Sequence, residues 1–169
     1  MKFETKRLEI KKPSDEDKQE LIDGLNCWEV CKFLTNVPYP YSNRDAEYWL
    51  KVTSESKFQS NIYLKKKLIG GIGFKQVKEN RYELGYWIAF KKWGNGYATE
   101  ASFGALKFLK KDNNCDIFAN YLVGNLASAN VLQKIGFRVF GKGDLFSTSL
   151  KKKIICVKLK YHKEILRLI

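Results

Sequence analysis

Histidine is almost missing from this chain of 169 residues: the one present is His162, near the C-terminus. That removes Ser-His-Asp and Cys-His nucleophilic centres, and histidine-based zinc sets, from consideration. The cysteines are few and scattered (Cys27, Cys31, Cys115, Cys156) and show no framework spacing. A disulfide-built scaffold and a cysteine metal site are thus unexpected, and reduced core thiols are the simpler reading. No apolar run approaches the roughly 20 residues of a membrane-spanning helix. Met1-Lys2-Phe3-Glu4-Thr5-Lys6 lacks an apolar signal core, so a cytoplasmic protein is expected. Only three prolines occur, and no Pro/Gly/Ser linker divides the chain, so one domain over residues 1–169 is expected. Acids are outnumbered, 18 Asp+Glu against 31 Lys+Arg, for a net charge of +13. Such a field draws anions (a cofactor phosphate, RNA, an acidic protein face) and disfavours a polycationic substrate. Arginine is scarce as well: 26 of the 31 bases are lysines, which are poorer bidentate phosphate readers and read equally as a solvated surface.

What is present is a folding chain, 44% apolar and 14% aromatic. Alternation from Phe3 to Lys11 predicts a first strand. Ser14, with Asp17 at the third helical position, predicts a capped helix carrying Leu21, Ile22 and Leu25 inward. A second helical piece is expected from Asn26 to Leu34. Asn36-Val37-Pro38-Tyr39-Pro40-Tyr41-Ser42 reads as an aromatic loop fixed by two prolines, and Ser42 or Asn43 caps a third helix to about Ser56. Strands are predicted over 58–64, 68–76, 81–90, 116–123, 137–140 and 154–161. Helices are predicted over 98–110 and 125–135, the latter ended by Gly136. The order is β-α-α-α-β-β-β-α-β-α-β-β, an α/β fold with about seven strands.

The densest signal is Tyr82-Glu83-Leu84-Gly85-Tyr86-Trp87-Ile88-Ala89-Phe90 followed by Trp93-Gly94-Asn95-Gly96-Tyr97-Ala98-Thr99-Glu100. It reads as an apolar strand, a glycine turn and a helix start. Gly94 and Gly96 permit positive φ, and the turn leaves amides unpaired beside the positive end of the helix dipole, which makes a pyrophosphate site. It is neither a P-loop, for no Gly-Lys-Ser/Thr follows, nor a dinucleotide fingerprint, for Thr99 stands where the third glycine belongs. Period-2 counting puts Glu83, Gly85, Trp87 and Ala89 on one face of the strand, and Tyr82, Leu84, Tyr86, Ile88 and Phe90 on the other.

Three blocks together resemble the GNAT superfamily of N-acetyltransferases, and within it the ribosomal-protein-alanine acetyltransferase (RimJ/RimL-type) branch. They are Thr5-Lys6-Arg7-Leu8-Glu9-Ile10, the strand-turn-helix block just described, and Asn125-Leu126-Ala127-Ser128-Ala129-Asn130-Val131-Leu132-Gln133-Lys134-Ile135-Gly136-Phe137. The resemblance implies a mixed, strongly twisted sheet flanked by helices, with acetyl-CoA as donor and no metal. It implies the pyrophosphate on the turn Gly94, Asn95, Gly96, Tyr97, Ala98 and Thr99. The pantetheine arm would pair with the backbone of Tyr86, Trp87 and Ile88, with Asn125 at the arm. Two positions depart from the family. Leu132 stands where many members place a tyrosine acid, and Asn120 stands where some protein N-terminus acetylators place a glutamate.

Acetyl transfer by direct attack needs no protein nucleophile. Glu83 is the candidate base, through water, or else an ordinary carboxylate paired with Arg81 or a lysine. Ser128 is a candidate donor to the thiol, or else a first-turn helix hydroxyl. Trp28, Tyr39, Tyr41 and Trp49 belong to the region that lines the acceptor cleft in the resembling family, or to the core, which suits Trp49 best. The acceptor implied is a protein N-terminus, with ribosome association through the basic surface. The alternatives are a small amine (amino acid, amino-sugar, polyamine) or a non-catalytic acyl-CoA- or RNA-binding module. A monomer and a homodimer are equally compatible with the sequence.

Overall fold

The alternation after Met1 builds two short strands rather than one. In the computed structural model, which describes residues 1–112 and 115–162, β1 (Phe3–Glu4) and β2 (Glu9–Lys11) pair antiparallel, Phe3 opposite Ile10. Thr5 closes the bend between them: its N–H donates to Leu8 O at 2.9 Å, and its hydroxyl oxygen accepts from Leu8 N at 3.1 Å. Local side-chain bonds of this kind compete with strand continuation, and the sheet therefore has eight strands instead of about seven.

Helix α1 (Lys18–Leu25) follows a 3-10 turn at Asp15–Asp17, where Ser14 N donates to Asp17 Oδ2 at 2.8 Å. The second helix is shorter than the spacing predicts. α2 covers Trp28–Cys31, and tight bonds from Phe33 N to Val30 O and from Leu34 N to Cys31 O end it. Asn26 does not extend this helix. Its side chain pins the proline loop instead, donating to Tyr41 O at 2.7 Å and accepting from Tyr41 N at 2.6 Å. Helix α3 (Asn43–Glu55) is capped by Ser42, with Ser42 N donating to Asp45 Oδ2 at 2.8 Å.

Strands β3 (Gln59–Leu64), β4 (Lys67–Lys78) and β5 (Arg81–Ile88) form an antiparallel meander. The turn between β3 and β4 has two residues, Lys65 and Lys66 at φ 50 and 67, and Lys67 already belongs to β4, one residue before the predicted start at 68. Helix α4 (Tyr97–Asp112) crosses to β6 (Asp116–Leu122), parallel to β5. Helix α5 (Leu126–Lys134), β7 (Phe137–Ser147) and β8 (Lys152–Tyr161) complete the order. β7 runs seven residues beyond the predicted end at Phe140. Gly141 to Ser147 stay in register with β8, and a bulge beside Phe140 absorbs the irregularity that the glycines signal.

The strand order is β1-β2-β3-β4-β5-β6-β8-β7. Neighbouring residues send their side chains to opposite faces. Ile62 and Ile69 join the larger core, with Ala101, Ala105, Leu106 and Leu109 of α4 and Leu132 and Ile135 of α5. Tyr63 and Leu68 join a smaller core, with Leu21 of α1 and Leu50 of α3. The predicted faces of β5 hold: Tyr82, Leu84 and Ile88 lie in the larger core with Tyr86 packed against it, while Trp87 packs into the cores beneath α1 and α3. Room for that indole comes from Gly24 and Gly71, where an added Cβ would stand 2.7 and 2.6 Å from Trp87 ring atoms.

β5 and β6 pair only from Arg81↔Asp116 to Leu84↔Ala119. Beyond Leu84 the two strands diverge, while β5 stays paired to β4 as far as Ile88. The sheet forks between Gly85–Ile88 and Asn120–Leu122.

Candidate functional site

The fork opens onto a cavity of about 380 Å³. Its walls are β5 (Tyr86, Trp87, Ile88), the turn before α4, the first turns of α5 and two residues, Val30 and Leu34, from the α2 region. Ten of the twelve predicted site residues line it: Tyr86, Trp87, Ile88, Gly94, Gly96, Tyr97, Ala98, Thr99, Asn125 and Ser128. Asn95 and Glu83 do not. The Asn95 side chain folds back on its own loop, donating to Trp93 O at 2.8 Å and Lys92 O at 3.2 Å.

Gly94 and Gly96 adopt φ 76 and 77, the left-handed region that favours glycine. The first amide that finds an acceptor is that of Glu100, which donates to Gly96 O at 3.0 Å. Among the described residues the N–H groups of Gly94 to Thr99 have no protein acceptor. Five of these residues (Gly94, Gly96, Tyr97, Ala98 and Thr99) line the cavity at the N-terminus of a 16-residue helix, an arrangement suited to a diphosphate. Lys92 and Lys134 line the same cavity, and among the described residues no acidic side chain does. The strand edge is partly used: Trp93 Nε1 donates to Ile88 O at 2.6 Å, so that carbonyl is already engaged by the protein.

A clamp that sequence reasoning missed holds the turn. Glu100 accepts from Thr5 Oγ1 at 2.6 Å, from Arg7 N at 2.8 Å and from Arg7 Nε at 2.6 Å. The Arg7 guanidinium also donates through Nη1 to Asn95 O at 3.0 Å and lies 4.6 Å from the Tyr97 ring centroid. Burial pulls the Glu100 carboxyl upward, but the hydrogen bonds from Thr5 and Arg7 and the Arg7 charge outweigh it and hold the group below the ordinary range. The signal was in the sequence, since Thr5, Arg7 and Glu100 all sit in the quoted blocks. Only the packing of β1 on α4 shows that they meet across 93 residues.

At the cavity's other wall Asn125 caps α5, its Oδ1 accepting from Ser128 N at 3.1 Å. The Ser128 hydroxyl faces Tyr86, with Oγ and Oη 3.0 Å apart. Burial pushes the Tyr86 phenol up to about 12, against a smaller opposing effect from its bond with Ser128. Glu83 stands on the paired side of the fork, opposite Lys75 and Phe118, on the Trp87 face of β5. It makes no ion pair or hydrogen bond among the described residues. Leu132 is a fully buried core residue, and Asn120 lies on β6 opposite Lys158. Of the four N-terminal aromatics, Tyr41 is core (5% exposed), Trp49 packs against the α1/α3 core, and Trp28 and Tyr39 form an exposed edge-to-face pair at 5.1 Å.

Residues 7–138 match the family model described as an acetyltransferase (GNAT) domain. No curated protein sequence matches the chain. Among solved structures, a GNAT-family acetyltransferase from Bacillus anthracis superposes with a TM-score of 0.85 at 24% identity, covering 97% of this chain and 99% of that one. A ribosomal-protein-S5-alanine acetyltransferase from Vibrio fischeri gives 0.72 at 17% identity, covering 97% and 98%. A ribosomal-protein-alanine N-acetyltransferase from Brucella melitensis gives 0.72 at 14%, covering 89% and 97%. The family match spans Arg7 and Glu100, the glycine turn and the Asn125 cap: the chain belongs to the GNAT acetyltransferase family.

Proposed function

We propose that this protein transfers an acetyl group from acetyl-CoA to a primary amine by direct attack. The observation that carries the reading is the row of amides from Gly94 to Thr99, without protein acceptors, at the mouth of the forked sheet. A diphosphate takes the amides, and an amide-bearing arm takes the strand edge that β6 leaves open. The free edge runs inward from Trp87, because Ile88 O is held by Trp93. Asn125 and Ser128 flank the arm from α5. Acetyl-CoA binding is tested by calorimetry with acetyl-CoA and CoA; heat absent for both would remove the proposal.

The acceptor we favour is a protein N-terminus, on the RimJ/RimL-type blocks and on the two ribosomal-protein acetyltransferases among the structural likenesses. The net charge of +13 suits an encounter with a ribosome. The absence, among the described residues, of an acidic side chain from the cavity lining weighs against a polyamine. Mass spectrometry of ribosomal proteins from a deletion strain checks this: one N-terminus should be lighter by about 42 Da, the net mass that acetylation adds. Unchanged N-termini would shift the assignment to a small amine. Deprotonation of the amine runs through water, with Glu83, the one acid on β5, as the base.

A further inference from the structure

We propose that Tyr86 is a positioning residue for Ser128: the phenol donates its hydrogen to the Ser128 hydroxyl oxygen, and the Ser128 O–H is thereby left to donate to the sulfur of the departing thiolate. The inference rests on the acetyl-transfer reading above and assigns a role to a side chain that reading uses only for its backbone.

The argument is one of hydrogen-bond capacity. Tyr86 Oη stands 3.0 Å from Ser128 Oγ and 3.4 Å from Ser128 O. A phenol has one hydrogen to give. The carbonyl can only accept and is the more distant of the two oxygens, and the hydroxyl pair carries no direction of its own; the phenol's one hydrogen is here placed on Ser128 Oγ, the nearer partner. Ser128 N is already committed to Asn125 Oδ1 at 3.1 Å, which fixes the first turn of α5. A hydroxyl that accepts from Tyr86 keeps its own hydrogen, and the cavity is the side on which it finds a partner. Burial keeps the phenol protonated across the physiological range, so its donor character does not vary with pH there.

Position supports the same direction. Tyr86 lies two residues inward of Ile88, roughly 7 Å along the strand, on the side of the fork away from the phosphate turn. Leu132, buried in the larger core, offers no hydrogen at this end. In the step itself the amine nitrogen bonds to the acetyl carbon, the C–S bond breaks, and its electron pair stays on sulfur. The Ser128 hydrogen bond steadies that charge. The proton lost by the amine passes to water, and CoA leaves as a thiolate that solvent protonates.

The test needs no acceptor. Free CoA is the probe, and the titration of its thiol is followed by thiolate ultraviolet absorbance when bound to wild type, Tyr86→Phe, Ser128→Ala and Ser128→Thr. In wild type the bound thiol should titrate about one unit below free CoA. The shift should vanish in Tyr86→Phe and in Ser128→Ala, and survive in Ser128→Thr. An unshifted thiol in wild type, or a shift retained in Tyr86→Phe, overturns the proposal. Failure of CoA to bind wild type overturns the acetyl-transfer reading itself, and this assignment with it. Should Tyr86→Phe fold poorly, Tyr86→Met takes its place, since it too removes the phenol hydrogen, and a shift retained there overturns the proposal in the same way.

Discussion

At the scale of single residues, the Arg7–Glu100 pair carries more of the site than either residue suggests alone. Glu100 is 17% exposed and takes three hydrogen bonds from two residues of the β1–β2 bend, while the Arg7 guanidinium, 41% exposed, also holds Asn95 O. The carboxyl is depressed on folding, so its contribution is present above the unfolded carboxylate pKa and is lost as pH falls through the lower folded one. Glu100→Gln should cost about 1 kcal/mol at pH 7. Wild type and variant should converge only as pH falls through that lowered folded pKa, below the ordinary carboxylate range, as read by urea melts across pH. Arg7→Ala should raise the KM for acetyl-CoA about tenfold with kcat nearly kept, because the turn loses its brace while the acetyl end is untouched. Glu83→Gln should lower kcat by about a hundredfold with little change in KM if the base works through water; a kcat within twofold of wild type would return Glu83 to an ordinary surface carboxylate.

At the scale of elements, close approach of backbone to backbone decides what is tolerated. A Cβ at Gly70 would lie 2.2 Å from Trp87 O in the β4–β5 ladder. Gly70→Ala should therefore destabilise the fold by about 3 kcal/mol, measured by denaturant midpoint, and should loosen the strand that walls the cavity. Gly85 has nothing within 4 Å of its missing Cβ, so Gly85→Ala should leave stability nearly unchanged. Asn125→Ala removes the α5 cap and should cost about 1 kcal/mol. The elements were legible from caps and periodicity wherever those signals were local: Ser14, Ser42, Asn125 and Gly136 each stand at the helix end predicted. They failed where a side chain chose a longer-range partner. Asn26 reads as a helix residue, but its amide is spent on Tyr41. Gly141 and Gly143 read as a loop, but β8 supplies a full register of partners.

At the scale of the whole molecule, the cavity exists because two parallel strands part company. A ligand that fills it should stabilise the native state by mass action: acetyl-CoA at a hundred times its Kd contributes about 2.7 kcal/mol, which should raise the Tm by roughly 5–10 °C in a domain of this size. The +13 charge makes the on-rate for an anionic ligand fall as salt rises, which stopped-flow binding at two ionic strengths would read. The order of elements, the two-faced pattern of β5 and the glycine turn before α4 were determined by the sequence alone, since each depends on residues within a few positions of one another. The tertiary structure decided the rest: that Arg7 and Glu100 meet beside the turn, that Glu83 falls on the paired side of the fork, and that Tyr86 meets Ser128. The Tyr86–Ser128 and Arg7–Glu100 contacts join residues 42 and 93 positions apart, and no local periodicity encodes where two strands stop pairing; that is set by the twist of the sheet and by the helices packed on its faces.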